Sequence, residues 1–256
     1  MNQLLKPKNL PRFAVVAGIL GWQLRAQLYI WGIDDKGLML PHHPLALLLL
    51  ALTAVTMAVL ALGARKLDGS EAYGDNFAPS TGAAVTHVLA GLAFCLTVLL
   101  HRPAMANHLG TAWKVLGLLS GPCFLLAGFS RLKGKQPFFA LHMIPCLFLV
   151  LHIVNHYQIW SGNPQVQDYV FTLLGTIAAA LFAYYTAAFD ADTGKRRIHL
   201  FTGLAAVYLC LVVIARTEYL LLYAGCLLWI QSDLCTLNPK PRAPEVQKGD
   251  GSHEPA

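Results

Sequence analysis

The sequence predicts an all-α fold: a polytopic transmembrane helix bundle of eight spans, with both termini cytoplasmic. Three observations carry this. Eight near-continuous apolar stretches fill most of the 256 residues, and the composition is 56% hydrophobic against 12% charged. The lysines and arginines gather in alternate gaps between those stretches, 14 of 19 on one side, and such an excess marks cytoplasmic loops. The stretches are unbroken and rich in Leu and Ala, whereas barrel strands would alternate over ~10 residues.

The stretches are 12–31, 44–64, 82–101, 108–130, 137–158, 168–189, 198–215 and 218–235. Crossing a bilayer core of ~30 Å takes about 20 apolar residues in a helix, and the first six meet that length comfortably. No small-residue cleavage site follows the first, so it reads as an uncleaved anchor rather than a signal peptide. Pro145 should kink the fifth and free a backbone carbonyl about one turn earlier. The last two are short and divided only by Arg216 and Thr217. A single helix over 198–235 would overrun the hydrocarbon, so a tight hairpin is expected. Merging the two gives the seven-span alternative and puts the basic tail outside. Residues 1–235 then form a single transmembrane helical domain. Residues 236–256, rich in Pro, Gly and charge, read as a disordered cytoplasmic tail. The loop at 65–81 is too short to build its own core.

This organisation excludes several classes of function. The formal charge of +6 is the cytoplasmic-face excess beside anionic lipid, not a nucleic-acid patch. The expected partner is the lipid bilayer, and a partner membrane protein or homo-oligomer is compatible with it. All six cysteines lie within the stretches and none forms CxxC, so they read as soft core filler. The segment from Asp68 starts like a phospholipid-synthesis motif, but Tyr73 replaces the required Arg. The segment from Gly128 to Lys135 is one residue too long for a P-loop. HExxH and GxSxG are absent. No catalytic dyad is legible, so an enzyme is not expected and no catalytic or metal residue is assigned.

Ionisable groups at membrane depth are costly and mark candidate sites. Arg25 sits about two turns inside the first stretch, and Lys114 a similar distance inside the fourth. Both can snorkel to headgroups. Alternatively, Arg25 faces an outward cavity with Asp168 and Glu218 as anionic partners on the same side. Trp31, Trp113 and Trp160 fit an interfacial aromatic belt. Gly117 and Gly121 make a GxxxG that allows close helix packing. Asp190 and Asp192 are expected to pair locally with the basic run at 195–197.

The histidines form the sharpest pattern. His87 and His101 lie fourteen residues apart on the third stretch, and His142 and His156 fourteen apart on the fifth. Fourteen residues rise ~21 Å over nearly four whole turns, so each pair shares a helix face. Both stretches run inside to outside, which places His87 level with His142 and His101 level with His156. This spacing is similar to that of ferric-reductase-like and b-type cytochrome membrane domains, where two helices ligate two stacked haems. That resemblance covers these four residues and Phe139, with no flavin or NAD domain. It implies a cofactor-binding set of His87, His142, His101 and His156. Interface-level histidines at helix ends explain the same spacing with no cofactor, and none is expected otherwise. His152 and His156, at i and i+4, could also form a small metal site.

Longer segments carry a second resemblance: GIDDKGL at 32–38, His43-Pro44, YGDNF at 73–77, PCLFL at 145–149, WSGNPQVQDY at 160–169, AAFD at 187–190 and GKRR at 194–197. Together they resemble an uncharacterised multi-spanning membrane protein family of Gram-positive bacteria. This implies membrane class and bacterial origin and transfers no site residue. The expectation is a multi-pass cytoplasmic-membrane protein, non-enzymatic, acting as an accessory or sensing component or a small-solute carrier. The alternative is a di-haem b-type transmembrane electron-transfer protein.

Overall fold

A computed structural model of the protein describes residues 9–33, 40, 43–65, 69–102, 108–160 and 166–237, with side chains left aside at 158–160 and 166–168. The tail expected to be disordered lies outside them beyond residue 237, as do Asp34, Asp35 and the side chains of Trp160 and Asp168.

The described residues form nine helices: α1 (Leu10–Trp31), α2 (Pro44–Ala64), α3 (Tyr73–Asn76), α4 (Thr81–Leu100), α5 (His108–Lys133), α6 (Ala140–Trp160), α7 (Val166–Asp190), α8 (Arg196–Ile214) and α9 (Leu220–Thr236). No β-strand occurs among them. Seven helices are long and apolar enough to cross a membrane. At 17 residues α9 is shorter. It is nevertheless a separate helix packed against α8 and α4, so the last two apolar stretches form a hairpin. The four-residue α3, which sequence periodicity did not predict, lies in the loop before α4.

Helices α4 to α9 close into a ring: each packs on the next, and α9 returns to α4. The interior is filled, not hollow. Phe94, Phe124, Phe148, Phe182, Tyr223 and Trp229 are fully buried there. α1 and α2 stand outside the ring, packed on α8. Gly18 and Gly21 let α1 approach closely: an added Cβ would meet Leu211 at 2.6 Å and Val212 at 2.6 Å.

Small residues do the same between α4 and α5. A Cβ on Gly121 would lie 2.3 Å from Cys95 Sγ, and one on Gly117 2.2 Å from Val98. Such approach is how helices pack where lipid removes the hydrophobic drive between them. Four hydroxyls inside the ring are satisfied within their own helices. Thr97, Ser120, Thr176 and Thr186 each donate to the carbonyl four residues earlier at 2.7–2.8 Å. All six cysteines are free thiols. α6 continues through Pro145, and α5 through Pro122.

Candidate functional site: two tiers of buried polar groups

Each ring helix contributes one ionisable side chain to a tier near the ring's basic end: His87 from α4, Arg131 from α5, His142 from α6, Asp190 from α7, His199 from α8 and Asp233 from α9. All six are buried, with at most 5% exposure. Burying charge is tolerated only when it is paired and hydrogen-bonded, and the pairing follows. Arg131 Nη2 donates to Asp233 Oδ1 at 2.9 Å and to Thr236 Oγ1 at 2.8 Å. His87 Nε2 stands 3.7 Å from Asp233 Oδ2, while its Nδ1 meets the Ala83 carbonyl at 2.7 Å. His142 Nδ1 and Asp190 Oδ2 lie 2.6 Å apart.

Hydrogen-bond accounting fixes several protons. The Thr186 hydroxyl donates to Phe182 O, so His199 Nε2 must donate to Thr186 Oγ1 at 3.1 Å. That leaves His199 Nδ1 as a bare acceptor. His142 Nε2 and Asp190 Oδ1 have no protein partner. A buried, fully ionised carboxylate with one bare oxygen is costly. A proton shared between His142 Nδ1 and Asp190 Oδ2 lowers that cost by spreading the carboxylate's charge, and imidazole is the side chain that exchanges protons near neutrality.

A second tier lies toward the opposite end, on α4, α5, α6 and the turn before α9. His156 Nδ1 donates to His152 O at 2.7 Å, so its Nε2 accepts from Tyr219 Oη at 2.6 Å. Trp113 Nε1 donates to His152 Nδ1 at 3.2 Å. The His101 ring lies 4.7 Å from that of Tyr219, and its Nδ1 meets Thr97 O at 3.0 Å. Deeper still, Thr176 donates to Thr172 O, so Tyr223 donates to Thr176 at 2.8 Å.

The histidine levels expected from sequence are therefore both present. His87 and His142 lie 5.8 Å apart at 73°, and His101 and His156 both flank Tyr219. A porphyrin between either pair needs an open slot. At the first tier Trp229 is parallel to His142 at 5.7 Å and 6.3 Å from His87, with Phe124 6.1 Å and 6.5 Å from the same two rings. Both aromatics pack directly against the two imidazoles, which leaves no open slot between them. At the second tier the Tyr219 hydroxyl occupies His156 Nε2. The four histidines form two separate level pairs, and the packing around each pair does not fit haem. His152 and His156, 4.1 Å apart, are likewise engaged by Trp113 and Tyr219. No group of three or more His, Cys, Asp or Glu converges as a metal would require among the described residues.

Of the expected outward-cavity set, Arg25 and Glu218 fall among the described side chains and Asp168 does not. Arg25 is 1% exposed, so it does not snorkel. Its Nη1 donates to Val212 O at 3.2 Å, and its guanidinium stands 5.7 Å from the Tyr29 ring and 5.5 Å from the Phe171 ring. Glu218 is exposed in the turn before α9, and Lys114 is exposed on α5. Asp168 falls in the first turn of α7, its side chain outside the described set. Trp31 is exposed at 68%, as an interfacial belt requires, whereas Trp113 is fully buried on His152.

Asp190 and Asp192 also depart from expectation. Asp190 turns inward to His142. Asp192 accepts from Tyr73 N–H at 2.8 Å and from Gln136 Nε2 at 2.9 Å. Sequence reasoning passed over Asp233 entirely. The available signal was a lone carboxylate inside the last apolar stretch.

Compared with known proteins, the chain matches no family model, no curated protein and no solved structure. Residue roles here therefore rest on the geometry alone.

Proposed function

We propose that this chain is a proton-linked small-solute carrier of the cytoplasmic membrane, with His142–Asp190 as its proton-binding pair. The observation that supports it is the buried 2.6 Å contact between those side chains, with Asp190 Oδ1 and His142 Nε2 left without protein partners. Intramembrane carboxylate and histidine chains are how transporters relay protons. Arg131–Asp233 is a fixed ion pair beside it, so loading and unloading fall to the imidazole–carboxylate pair. Eight crossings with both termini cytoplasmic put this tier near the inner surface.

Everted vesicles with an imposed pH gradient test the reading. Amino acids, sugars, carboxylates and inorganic cations are added in turn while a pH-sensitive dye reports the gradient. One class should collapse it, Asp190→Asn should abolish the response, and exposed Lys135→Gln should retain it. No response to any class, or an unchanged response in Asp190→Asn, overturns the proposal. An accessory or sensing component, the other reading, would bind and release the proton yet leave the gradient intact. For topology, reporter fusions at Lys133 and Arg196 should read cytoplasmic, and one at Gly162 outside.

A further inference from the structure

We propose that the protein binds a phosphate group, carried on a lipid headgroup or free, in a cavity of about 400 Å³ at the basic end of the ring. This goes beyond the carrier reading and does not depend on it. The cavity opens between the loop before α4 and the start of α8. Lys195, Arg196 and Arg197 line it, with Glu71 as the one carboxylate among the described lining residues. A pocket of this size admits a small ligand, and three cations to one carboxylate select an anion. The acids beside this basic run in sequence are engaged elsewhere. Asp190 turns inward to His142, and Asp192 accepts from Tyr73 N–H and Gln136 Nε2. The start of α8 adds to the same field. Its first turn holds no acid, and its N-cap, Lys195, makes no side-chain cap bond. Amides at a helix start lack a partner within the helix and favour negative charge. The basic residues there lie at the unfavourable end of the dipole, and a bound anion offsets both.

One of the three cations is built firmly into the wall. Arg196 is 7% exposed. Its Nη1 donates to Asn76 Oδ1 at 3.1 Å, and Asn76 Nδ2 is itself fixed on Ser70 O and Ala72 O, both at 2.8 Å. Gly69 lies close beside it: an added Cβ would meet Arg196 Cδ at 2.5 Å and Nη1 at 3.2 Å. Gly194 N–H donates to Glu71 O at 3.3 Å, which ties the α7–α8 turn to the loop across the cavity. Lys195 and Arg197 are exposed and complete the set. A guanidinium presents five donors in a rigid fork, more than the Asn76 bond uses. Phosphate suits these cations better than a carboxylate does, because it carries up to two charges and three strong acceptor oxygens. Arg and Lys are also the side chains that recognise it.

The test is a binding titration of purified, full-length protein in uncharged detergent at constant ionic strength. The probes are inorganic phosphate, dioctanoyl phosphatidic acid and, as a zwitterionic control, dioctanoyl phosphatidylcholine. Phosphatidic acid should bind and phosphatidylcholine should not. Inorganic phosphate binding as tightly as phosphatidic acid assigns a free phosphate; tighter binding of phosphatidic acid assigns a lipid headgroup. Lys195→Gln with Arg197→Gln, both exposed positions, should weaken binding about tenfold or more, as loss of a charge-assisted hydrogen bond does. Exposed Lys135→Gln should leave it unchanged. Glu71→Gln should tighten it severalfold, a gain that loss of structure does not produce. No binding of either phosphate probe, equal binding of phosphatidylcholine, wild-type affinity in the double variant, or no gain in Glu71→Gln overturns the site. No gradient is imposed, so the site can stand where the carrier reading falls, and the reverse.

Discussion

The two tiers use the same side chain for different chemistry. Near the basic end, imidazoles face Asp190, Asp233 and Arg131, and a proton there has a counter-charge. Near the opposite end, His152 and His156 face an indole, a phenol and a backbone carbonyl. The hydrogen bonds described there are neutral, with the Glu218 carboxylate acting on His156 from the turn before α9. Histidine itself therefore says little about function; the partner contributed by the neighbouring helix decides whether it stores a proton or fastens a core.

The contrast can be broken most severely at Asp233. Asp233→Ala leaves Arg131 buried without its carboxylate, and breaking a buried pair costs about 3–5 kcal/mol. Thermal unfolding in detergent should show a large loss, and Arg131→Met with Asp233→Leu should recover most of it. Equal stability of the single and wild-type proteins would show that the pair is solvated. Next in size, Trp113→Phe removes the indole donor from His152, leaving a buried ring nitrogen bare at a cost of about 1–3 kcal/mol. Tyr219→Phe removes one neutral hydrogen bond from His156 and should cost about 1 kcal/mol, without changing proton-linked activity. A proton-linked defect in Tyr219→Phe would merge the tiers into one relay. The smallest expected signal is spectroscopic: reduced, purified protein should lack a b-type α-band. A band would mean that Trp229 and Tyr219 swing aside for a macrocycle.

The helices were legible because long unbroken apolar runs favour helix in a bilayer, so all eight stretches returned as helices within a few residues, seven of them long and apolar enough to cross. Level along the bundle was legible too: His87 and His142 do lie side by side. Azimuth was not. The long apolar faces carry no sharp periodic contrast, so Trp113 looked interfacial and Arg131 looked like a loop charge. Asp190 looked paired to the basic run beside it in sequence. Tertiary packing instead turned all three toward the ring axis. The short α3 escaped because its four residues owe their burial to contacts with distant helices rather than to any local pattern.

Ring closure between α4 and α9 has a consequence for biosynthesis. The carboxylate that compensates Arg131 and His87 resides on α9, four helices later in the chain than Arg131. Until α9 emerges, the growing chain carries a guanidinium at the end of α5 with no Asp233 to receive it. A ribosome stalled before residue 220 thus leaves a protein that cannot complete its charge set. Docking of α9 is thus the step that pairs the buried charges of α4 and α5.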